Sequence, residues 1–161
     1  MDVRRAHPDE VDHLGKLWFD AWREVHAAIV PPALTRARTL ESFRARLADA
    51  LDDTRVAGPH GAAVGLCVIR EDELYQLFVA PSARGSDVAA ALLADGEARL
   101  AARGIAIAWL ACAIGNDRAA RFYEKHGWRR ARVMESRLDT TEGVILLNVW
   151  RYEKAVRTGQ A

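Results

Sequence analysis

The chain has 161 residues, of which 50% are apolar and 28% are charged, a composition typical of a soluble globular protein. This length predicts a single domain over residues 1–161. The formal net charge of +1 excludes a strong general attraction to nucleic acid or to anionic lipid, so neither a nucleic acid nor a membrane is expected as a partner.

Two features of the sequence predict a cytoplasmic location. The N-terminal segment MDVRRAHPDE has no apolar signal core, and the apolar run Val144–Val149 is too short to span a bilayer. Cys67 and Cys112 lie in apolar, strand-like runs, which indicates two reduced thiols in the core. No metal site is expected, because four histidines are scattered without metal-ligand spacing: His7, His13, His60 and His126.

The first half of the chain predicts a short strand, two helices and three further strands. Leu14, Trp18 and Val25 recur at helical spacing and give the first helix an apolar stripe. The predicted elements are a strand at Val3–Ala6, a helix from Pro8 that the pair Pro31-Pro32 ends, a helix at Thr39–Leu51, a strand at Arg55–Ala57, and a hairpin of Val64–Ile69 and Leu74–Val79 around Glu71-Asp72.

The second half predicts two helices that alternate with strands. A helix follows Gly85 and stops at Gly104, a residue that suits the helix C-cap. The continuous apolar run Ile105–Ile114 is typical of a strand that is buried on both faces. The remaining elements are a helix from Asn116 to near Gly127 and a closing hairpin of Arg132–Leu138 and Val144–Tyr152.

The order of these elements mixes hairpins with one βαβ crossover. It predicts an α/β fold of the α+β type, in which a mixed central sheet is flanked by helices on both faces. If Leu74–Val79 and Ile105–Ala113 are parallel neighbours, both strand-to-helix junctions open at the same end of the sheet, where α/β proteins bind ligands. The first junction offers unpaired helix N–H groups and Arg84, and the second offers the amide of Asn116 and, seven residues later, the phenol of Tyr123.

Two segments at these junctions resemble the signature motifs of one enzyme family. Residues 77–93, LFVAPSARGSDVAAALL, resemble the acyl-CoA-binding motif of the GCN5-related N-acetyltransferases (GNAT). Residues 116–128, NDRAARFYEKHGW, resemble the second signature of that family, with Trp128 where Phe is usual. The element order fits the GNAT fold from Val3 to Tyr152, so the resemblance covers nearly the whole chain.

The resemblance implies acetyl-CoA as the cosubstrate and a primary amine of a small molecule or peptide as the acceptor. Tyr123 would be the general acid that protonates the departing thiolate, and Glu73 the base that removes the amine proton. A backbone N–H in the strand after Leu74 would stabilise the oxyanion. The residues implied to bind the cofactor are Leu77, Phe78, Val79, Arg84, Gly85, Ser86, Asp87, Val88, Ala89, Ala90 and Asn116.

The identity of the base is open at this stage. Another GNAT subgroup places a Glu five residues before the Asn, but Ala111 occupies that position here. His26 is a further candidate, although a surface helix residue is its simpler interpretation. Glu73 could equally be a solvated residue at a strand end, and Tyr123 could be a phenol packed in the core.

Asp87 departs from the family pattern, which usually has Gly at this position. Its carboxylate could bind the helix N–H groups in the empty protein, and it would repel a bound pyrophosphate. At about 4 Å this repulsion amounts to about 1 kcal/mol in water and about 4 kcal/mol at an effective dielectric constant of 20. If the side chain turns outward and Arg84 neutralises it, Asp87 weakens acetyl-CoA binding without abolishing it.

Two other functions compete with an active N-acetyltransferase. Asp87 and the absence of a Glu at position 111 favour an acyl-CoA-binding module that is catalytically weak or inactive and acts through a partner. A mononucleotide-binding protein is less consistent with the sequence, because no Lys-Ser/Thr pair follows the glycine. The closing hairpin could supply an edge for a homodimer.

Overall fold

The computed structural model describes residues 2–157, which contain one seven-stranded sheet in the order β1-β2-β3-β4-β5-β7-β6. Among the described strands, β4 and β5 are the one parallel pair, and every other neighbouring pair is antiparallel. The predicted mixed sheet and the predicted parallel neighbours are therefore confirmed. The strands are β1 (Val3–Arg5), β2 (Thr54–Ala57), β3 (Gly65–Arg70), β4 (Glu73–Val79), β5 (Ile107–Ala113), β6 (Arg129–Thr140) and β7 (Gly143–Ala155).

Within residues 2–157, five α-helices cover the two faces of this sheet, where the sequence predicts four helices that flank it on both faces. One face packs against α4 and α5, and the other packs against α1, α2 and α3. Gly96 lets α4 approach the sheet closely, because a Cβ atom at this position would lie 2.9 Å from the Sγ atom of Cys67. The helices are α1 (Val11–His26), α2 (Pro32–Ala37), α3 (Leu40–Asp49), α4 (Val88–Ala102) and α5 (Asp117–Lys125).

The segment around Pro31-Pro32 corrects one prediction. The first helix ends at His26, not at the prolines, and Pro32 occupies the first turn of α2 instead. Proline suits this position because the first N–H groups of a helix have no intrahelical acceptor. A proline pair is also a stop signal for the preceding helix, which is why α2 was not predicted; this helix carries Leu34 into the core and ends beside Arg38.

A second correction concerns β5, which was expected to be buried on both faces. Ala108, Leu110 and Cys112 are buried, whereas Ile107 and Ala111 are exposed. Ala111 lines a cavity that opens where β4 and β5 separate, whereas Ile107 lies before the point at which the two strands pair and lines no part of that cavity. Cys67 and Cys112 are free and buried, as predicted, and burial raises the pKa of both thiols to about 12.

The described part of the chain has no helix that is both long and apolar enough to cross a membrane. Within residues 2–157, no three His, Cys, Asp or Glu side chains are grouped in a way that could hold a metal ion.

Candidate functional site

The two parallel strands at the centre of the sheet separate shortly after they meet. Their only register pair is Glu73 with Trp109, although both strands continue beyond it. Leu77 to Val79 therefore pair with β3 on one side, and no residue of β5 pairs with them on the other. The resulting interstrand cleft exposes one backbone edge of β4, and a ligand with amide groups could bind along this edge as an added strand.

Two cavities meet at this cleft. The first, called here the α4 cavity, has a volume of about 520 Å³ and faces the N-terminus of α4. The second, called here the arginine cavity, has a volume of about 400 Å³ and contains four arginines in its wall: Arg38, Arg46, Arg70 and Arg137. Both cavities are lined by Leu77, Phe78, Asn116, Ala119 and Tyr123.

Ten of the eleven residues predicted to bind a cofactor line the α4 cavity. They come from the end of β4, the turn that follows it and the first turns of α4 and α5: Leu77, Phe78, Val79, Arg84, Gly85, Ser86, Asp87, Ala89, Ala90 and Asn116. The exception is Val88, whose side chain is 2% exposed and packs in the core. Its side chain therefore packs in the core beneath the turn and does not face the cavity.

The turn before α4 carries backbone donors that have no acceptor in the described chain. Within residues 2–157, nothing accepts a hydrogen bond from the N–H groups of Gly85, Asp87, Ala89 and Ala90. Gly85 has a φ of +75°, a left-handed conformation that disfavours any residue with a Cβ atom. Unpaired donors at a helix N-terminus form a binding site for an anion.

Asp87 does not block this site in the way that the sequence suggested. It is the N-cap residue of α4, but its side chain makes no capping hydrogen bond and is exposed. Its carboxylate therefore does not occupy the helix N–H groups, and the side chain is exposed, in agreement with the outward placement under which Asp87 weakens acetyl-CoA binding without abolishing it. The hydroxyl of Ser86 instead accepts a hydrogen bond from the Val88 N–H at 3.4 Å, while it donates to the Ala83 carbonyl.

Arg84 is paired with Glu24, a residue 60 positions earlier in the chain. Its two terminal nitrogens donate to the two carboxylate oxygens of Glu24 in α1, at 2.6 and 2.7 Å. The expectation that Arg84 neutralises Asp87 is therefore wrong, because the guanidinium already has a bidentate partner. This pair connects α1 to the edge of the α4 cavity.

Helix α5 places Asn116 and Tyr123 on the side that faces both cavities. The side-chain oxygen of Asn116 accepts a hydrogen bond from the Ala119 N–H at 3.3 Å, which caps the helix. The amide nitrogen of Asn116 is then available as a donor. Since Tyr123 follows seven residues later, about two helical turns, both side chains lie on the same face of α5.

Tyr123 combines burial with access to the cleft. Only 9% of its surface is exposed, and its ring packs edge-on against Trp128 with a centroid distance of 6.3 Å. Burial raises the pKa of Tyr123 well above that of an exposed phenol, and the nearby thiols of Cys112 and Cys67 raise it further. The hydroxyl therefore stays protonated over the whole physiological pH range.

Glu73 lies at the closed end of the cleft, where β4 and β5 still pair. It lines the arginine cavity and is 6% exposed, so the interpretation as a solvated strand end is wrong. Burial raises the pKa of Glu73, and the adjacent Arg70, which donates to its carboxylate at 3.1 Å, partly offsets this effect. A raised pKa makes this carboxylate a stronger base than an exposed one.

A β-bulge follows Glu73 in the same strand. Leu74 pairs with Ile69 and Gln76 pairs with Val68, so Tyr75 is an extra residue in β4. A bulge leaves this residue unpaired in the ladder and bends the strand, which contributes to the separation of β4 from β5.

His26 is not the surface helix residue that the sequence favoured. It is half-buried, lines the arginine cavity and stacks on Trp22 with a centroid distance of 5.1 Å. Its Nδ1 atom donates to the Trp22 carbonyl at 3.0 Å, which leaves Nε2 as the unprotonated nitrogen of the neutral ring. Burial lowers the pKa of His26, so the neutral ring predominates at neutral pH.

Sequence reasoning missed Arg38 and Arg46 in the wall of the arginine cavity. Arg38 follows α2, which was not predicted, and Arg46 lies in α3 among other charged residues with the same local pattern. No short motif marks either residue, because they meet only when α2 and α3 pack beside β4.

Comparison with known proteins gives concordant results. The sequence model of the Acetyltransferase (GNAT) family matches residues 13–128. An uncharacterized N-acetyltransferase of Archaeoglobus fulgidus is 28% identical over 142 residues, which cover 81% of this chain and 94% of that protein.

The fold is also similar to those of solved N-acetyltransferases. A GCN5-related N-acetyltransferase from Rhodopseudomonas palustris has a TM-score of 0.74 and 21% identity, with 96% of this chain and 94% of that chain covered. The PaiA N-acetyltransferase of Thermoplasma acidophilum, solved in complex with coenzyme A, has a TM-score of 0.74 and 17% identity, with 96% and 98% covered.

Proposed function

Because the chain belongs to the GNAT family and is an N-acetyltransferase, we propose that it transfers an acetyl group from acetyl-CoA to a primary amine in a ternary complex. The observation that carries this proposal is the interstrand cleft. It connects the α4 cavity, which suits a long anionic cofactor, to the arginine cavity, which could hold an acceptor. The two cavities meet at Asn116 and Tyr123, where the acetyl group would be transferred.

The α4 cavity matches the two chemical parts of coenzyme A. The amide groups of the pantetheine arm can pair with the free backbone edge at Leu77–Val79, as an added strand does. The unpaired N–H groups of the turn and of α4 can bind the pyrophosphate, with the positive end of the helix dipole behind them. The amide nitrogen of Asn116 can donate to the arm. The complex of the similarly folded PaiA protein with coenzyme A supports this assignment.

Tyr123 is the proposed acid. Acetyl transfer forms a bond between the amine nitrogen and the thioester carbon, breaks the bond from that carbon to sulfur, and leaves a thiolate that needs a proton. Tyr123 would give this proton and regain one from the attacking nitrogen, which loses its surplus proton as it becomes an amide. An exposed thiol has a pKa of about 8.5, far below that of the buried phenol. The leaving sulfur would lie in the same low-dielectric cleft, however, where burial disfavours a thiolate just as it disfavours the phenolate of Tyr123. Burial therefore raises the proton affinity of donor and acceptor together, which keeps the transfer feasible.

Glu73 is the proposed base. An ammonium group cannot attack the thioester, so one proton must leave the amine first. Glu73 offers a buried carboxylate in the arginine cavity, and burial raises its pKa toward the range in which a general base is effective. The neutral His26 ring lines the same cavity and is the competing base.

Two measurements test this function. Calorimetric titration should show that coenzyme A binds to the protein with 1:1 stoichiometry. A thiol-release assay with acetyl-CoA and a broad panel of primary amines should then show turnover that depends on the amine. Tight binding of coenzyme A without turnover on any amine would instead favour the alternative function, an acyl-CoA-binding module that acts through a partner.

Three expectations from the sequence stay predictions: the single domain, the cytoplasmic location and the homodimer. Apolar side chains of the closing hairpin are exposed, and they provide a surface on which a second copy could pack: Val133, Val144 and Leu146.

A further inference from the structure

The wall of the arginine cavity has more positive than negative charge. Two carboxylates, those of Glu73 and Asp139, lie in the same wall as the four arginines. The carboxylate of Glu73 is engaged by Arg70 at 3.1 Å, and Asp139 is exposed. Arg38 and Arg46 are then left without a carboxylate, since neither forms an ion pair with any residue in the described range 2–157.

Arg38 is the more unusual of these two residues. Its surface is only 7% exposed, and among residues 2–157 no group accepts a hydrogen bond from its guanidinium. A buried arginine almost always has an anionic or carbonyl partner, because transfer of an unpaired charge from water is costly. Burial, with a smaller contribution from the charge of Arg46, lowers the pKa of Arg38 to about 10.

Arg46 is held in a fixed position beside the same cavity. Its guanidinium lies over the ring of Trp18 at 4.4 Å, and its Nη2 atom donates to the Tyr75 hydroxyl at 2.9 Å. Its Nη1 atom is buried and has no hydrogen-bond partner in the described residues. Two like charges therefore share one cavity wall, and residues 2–157 provide neither a carboxylate for the pair nor an acceptor for this buried donor.

We propose that the acceptor of this N-acetyltransferase is a small amine that also carries a carboxylate, and that Arg38 and Arg46 bind this carboxylate. The proposal rests on the acetyl-transfer function proposed above and names its class of substrate. A guanidinium and a carboxylate are planar groups that form two parallel hydrogen bonds, which would satisfy donors that have no acceptor among residues 2–157.

The rest of the cavity fits such a molecule. A volume of about 400 Å³ lies in the range of small-molecule sites. Trp22, Leu34 and Phe78 provide an apolar wall for a carbon skeleton. The arginines also have a second effect, because nearby positive charge lowers the pKa of a bound ammonium group and favours the neutral amine that attacks the thioester.

Substrate pairs that differ only in the anionic group test the proposal. The panel contains L-amino acids and their C-terminal amides, with phosphoethanolamine and ethanolamine as a phosphate-bearing pair. We expect acetyl transfer to the amino acids, with kcat/KM about 10- to 100-fold above that of the matched amides, the effect of one charge-assisted hydrogen-bonded pair. Equal use of acids and amides would overturn the proposal, as would turnover of phosphoethanolamine alone.

Variants test which residues bind the carboxylate. Arg38→Gln and Arg46→Gln should each raise KM for a carboxylated amine about 10- to 100-fold and leave KM for its amide unchanged. Arg36→Gln is the matched control, because Arg36 lies exposed on α2 outside the cavity and the change in net charge is the same. An equal loss in the control, or no loss in the other two variants, would contradict the assignment.

A binding measurement keeps the inference testable if no amine in the panel is acetylated. Carboxylated members of the panel should then still raise the Tm of the wild-type protein, and this shift should vanish in Arg38→Gln. The absence of any shift would overturn the anion site independently of catalysis.

Arg38→Met should keep or raise the Tm of the ligand-free protein, since it removes an unpaired buried charge, whereas a structural role for Arg38 predicts a lower Tm.

Discussion

The two cavities that meet at Tyr123 are constructed in different ways. The α4 cavity is formed mainly by two continuous segments, one around β4 and the start of α4 and one in α5, and its binding groups are mostly backbone atoms. The arginine cavity shares the face of α5 with the α4 cavity, and the rest of its wall is formed by side chains from α1, α2, α3, β4, β5 and the closing hairpin. Backbone N–H groups can bind the phosphates and amides of a cofactor whatever the side chains around them are. The side chains of the arginine cavity, in contrast, determine which acceptor amine fits.

The largest effect is expected at the residue that both cavities share. Tyr123→Phe removes only the hydroxyl, so kcat should fall by about 10²- to 10⁴-fold, the range typical for loss of a general acid. The affinity for coenzyme A should stay within about twofold, because the proposed role of the hydroxyl is confined to the reaction. Thiol-release kinetics and calorimetry measure the two quantities separately.

Tyr152→Phe is the matched control for this prediction. It removes a buried phenol hydroxyl that lines neither cavity and that bonds to Glu124 and Arg130. This variant should keep the kcat of the wild type. An unchanged kcat in Tyr123→Phe would mean that Tyr123 only packs in the core and that its hydroxyl does not donate a proton in the reaction.

The second largest loss of activity is expected for Glu73, in the arginine cavity. Glu73→Gln should lower kcat/KM by about 100-fold at neutral pH, because the amide cannot remove a proton. Since the base works only when deprotonated, the wild-type rate should fall as the pH drops through the pKa of Glu73, which burial raises. The variant should lose this acid limb of the pH profile.

Two variants separate Glu73 from its neighbours. Glu71→Gln changes an exposed carboxylate in the adjacent turn and should retain both the rate and the pH profile. His26→Asn should likewise retain the acid limb. If His26→Asn abolishes the acid limb and Glu73→Gln does not, the imidazole of His26 is the base. The base would then lie on α1 and not on β4.

The contrast between the cavities also explains what the sequence could predict. Gly85 and Asn116 are recognisable because a left-handed turn and a helix cap each require a particular residue type at a fixed position. Such local requirements locate the α4 cavity to within a few residues. The parallel arrangement of β4 and β5 follows in the same way from the pattern of elements between them.

The arginine cavity could not be predicted by the same reasoning. Arg38 and Arg46 resemble the many exposed arginines of the chain until α2 and α3 fold against the bulged part of β4. The burial of Glu73 has the same origin, because a strand end beside an acidic turn reads as solvated unless β5 covers it. The burial of these charged side chains depends on the tertiary structure, so no local sequence pattern indicates it.

A smaller effect is expected at Asp87, on the side of the α4 cavity. Asp87→Gly should increase the affinity for coenzyme A about three- to tenfold, since its exposed carboxylate repels phosphates only through solvent. Asp87→Asn should give the same increase, because the backbone at this position has a φ of −82° and does not require glycine. Equal affinities for the wild type and both variants, measured by calorimetry, would refute a repulsive role.

The smallest effect concerns the ion pair that connects the two regions, Arg84 with Glu24. Arg84 lines the α4 cavity but is engaged by α1, so Glu24→Gln should free its guanidinium to turn toward the pyrophosphate. The gain in affinity for coenzyme A should be only about two- to fivefold, because an exposed ion pair contributes little. In the double variant Glu24→Gln/Arg84→Gln, this gain in affinity should disappear. Asp20→Asn is the control, because it removes a negative charge from the same helix away from Arg84 and should leave the affinity for coenzyme A unchanged. An equal gain in the absence of Arg84 would show that Glu24 acts only as a negative charge near the cavity, and α1 would then have no direct link to cofactor binding.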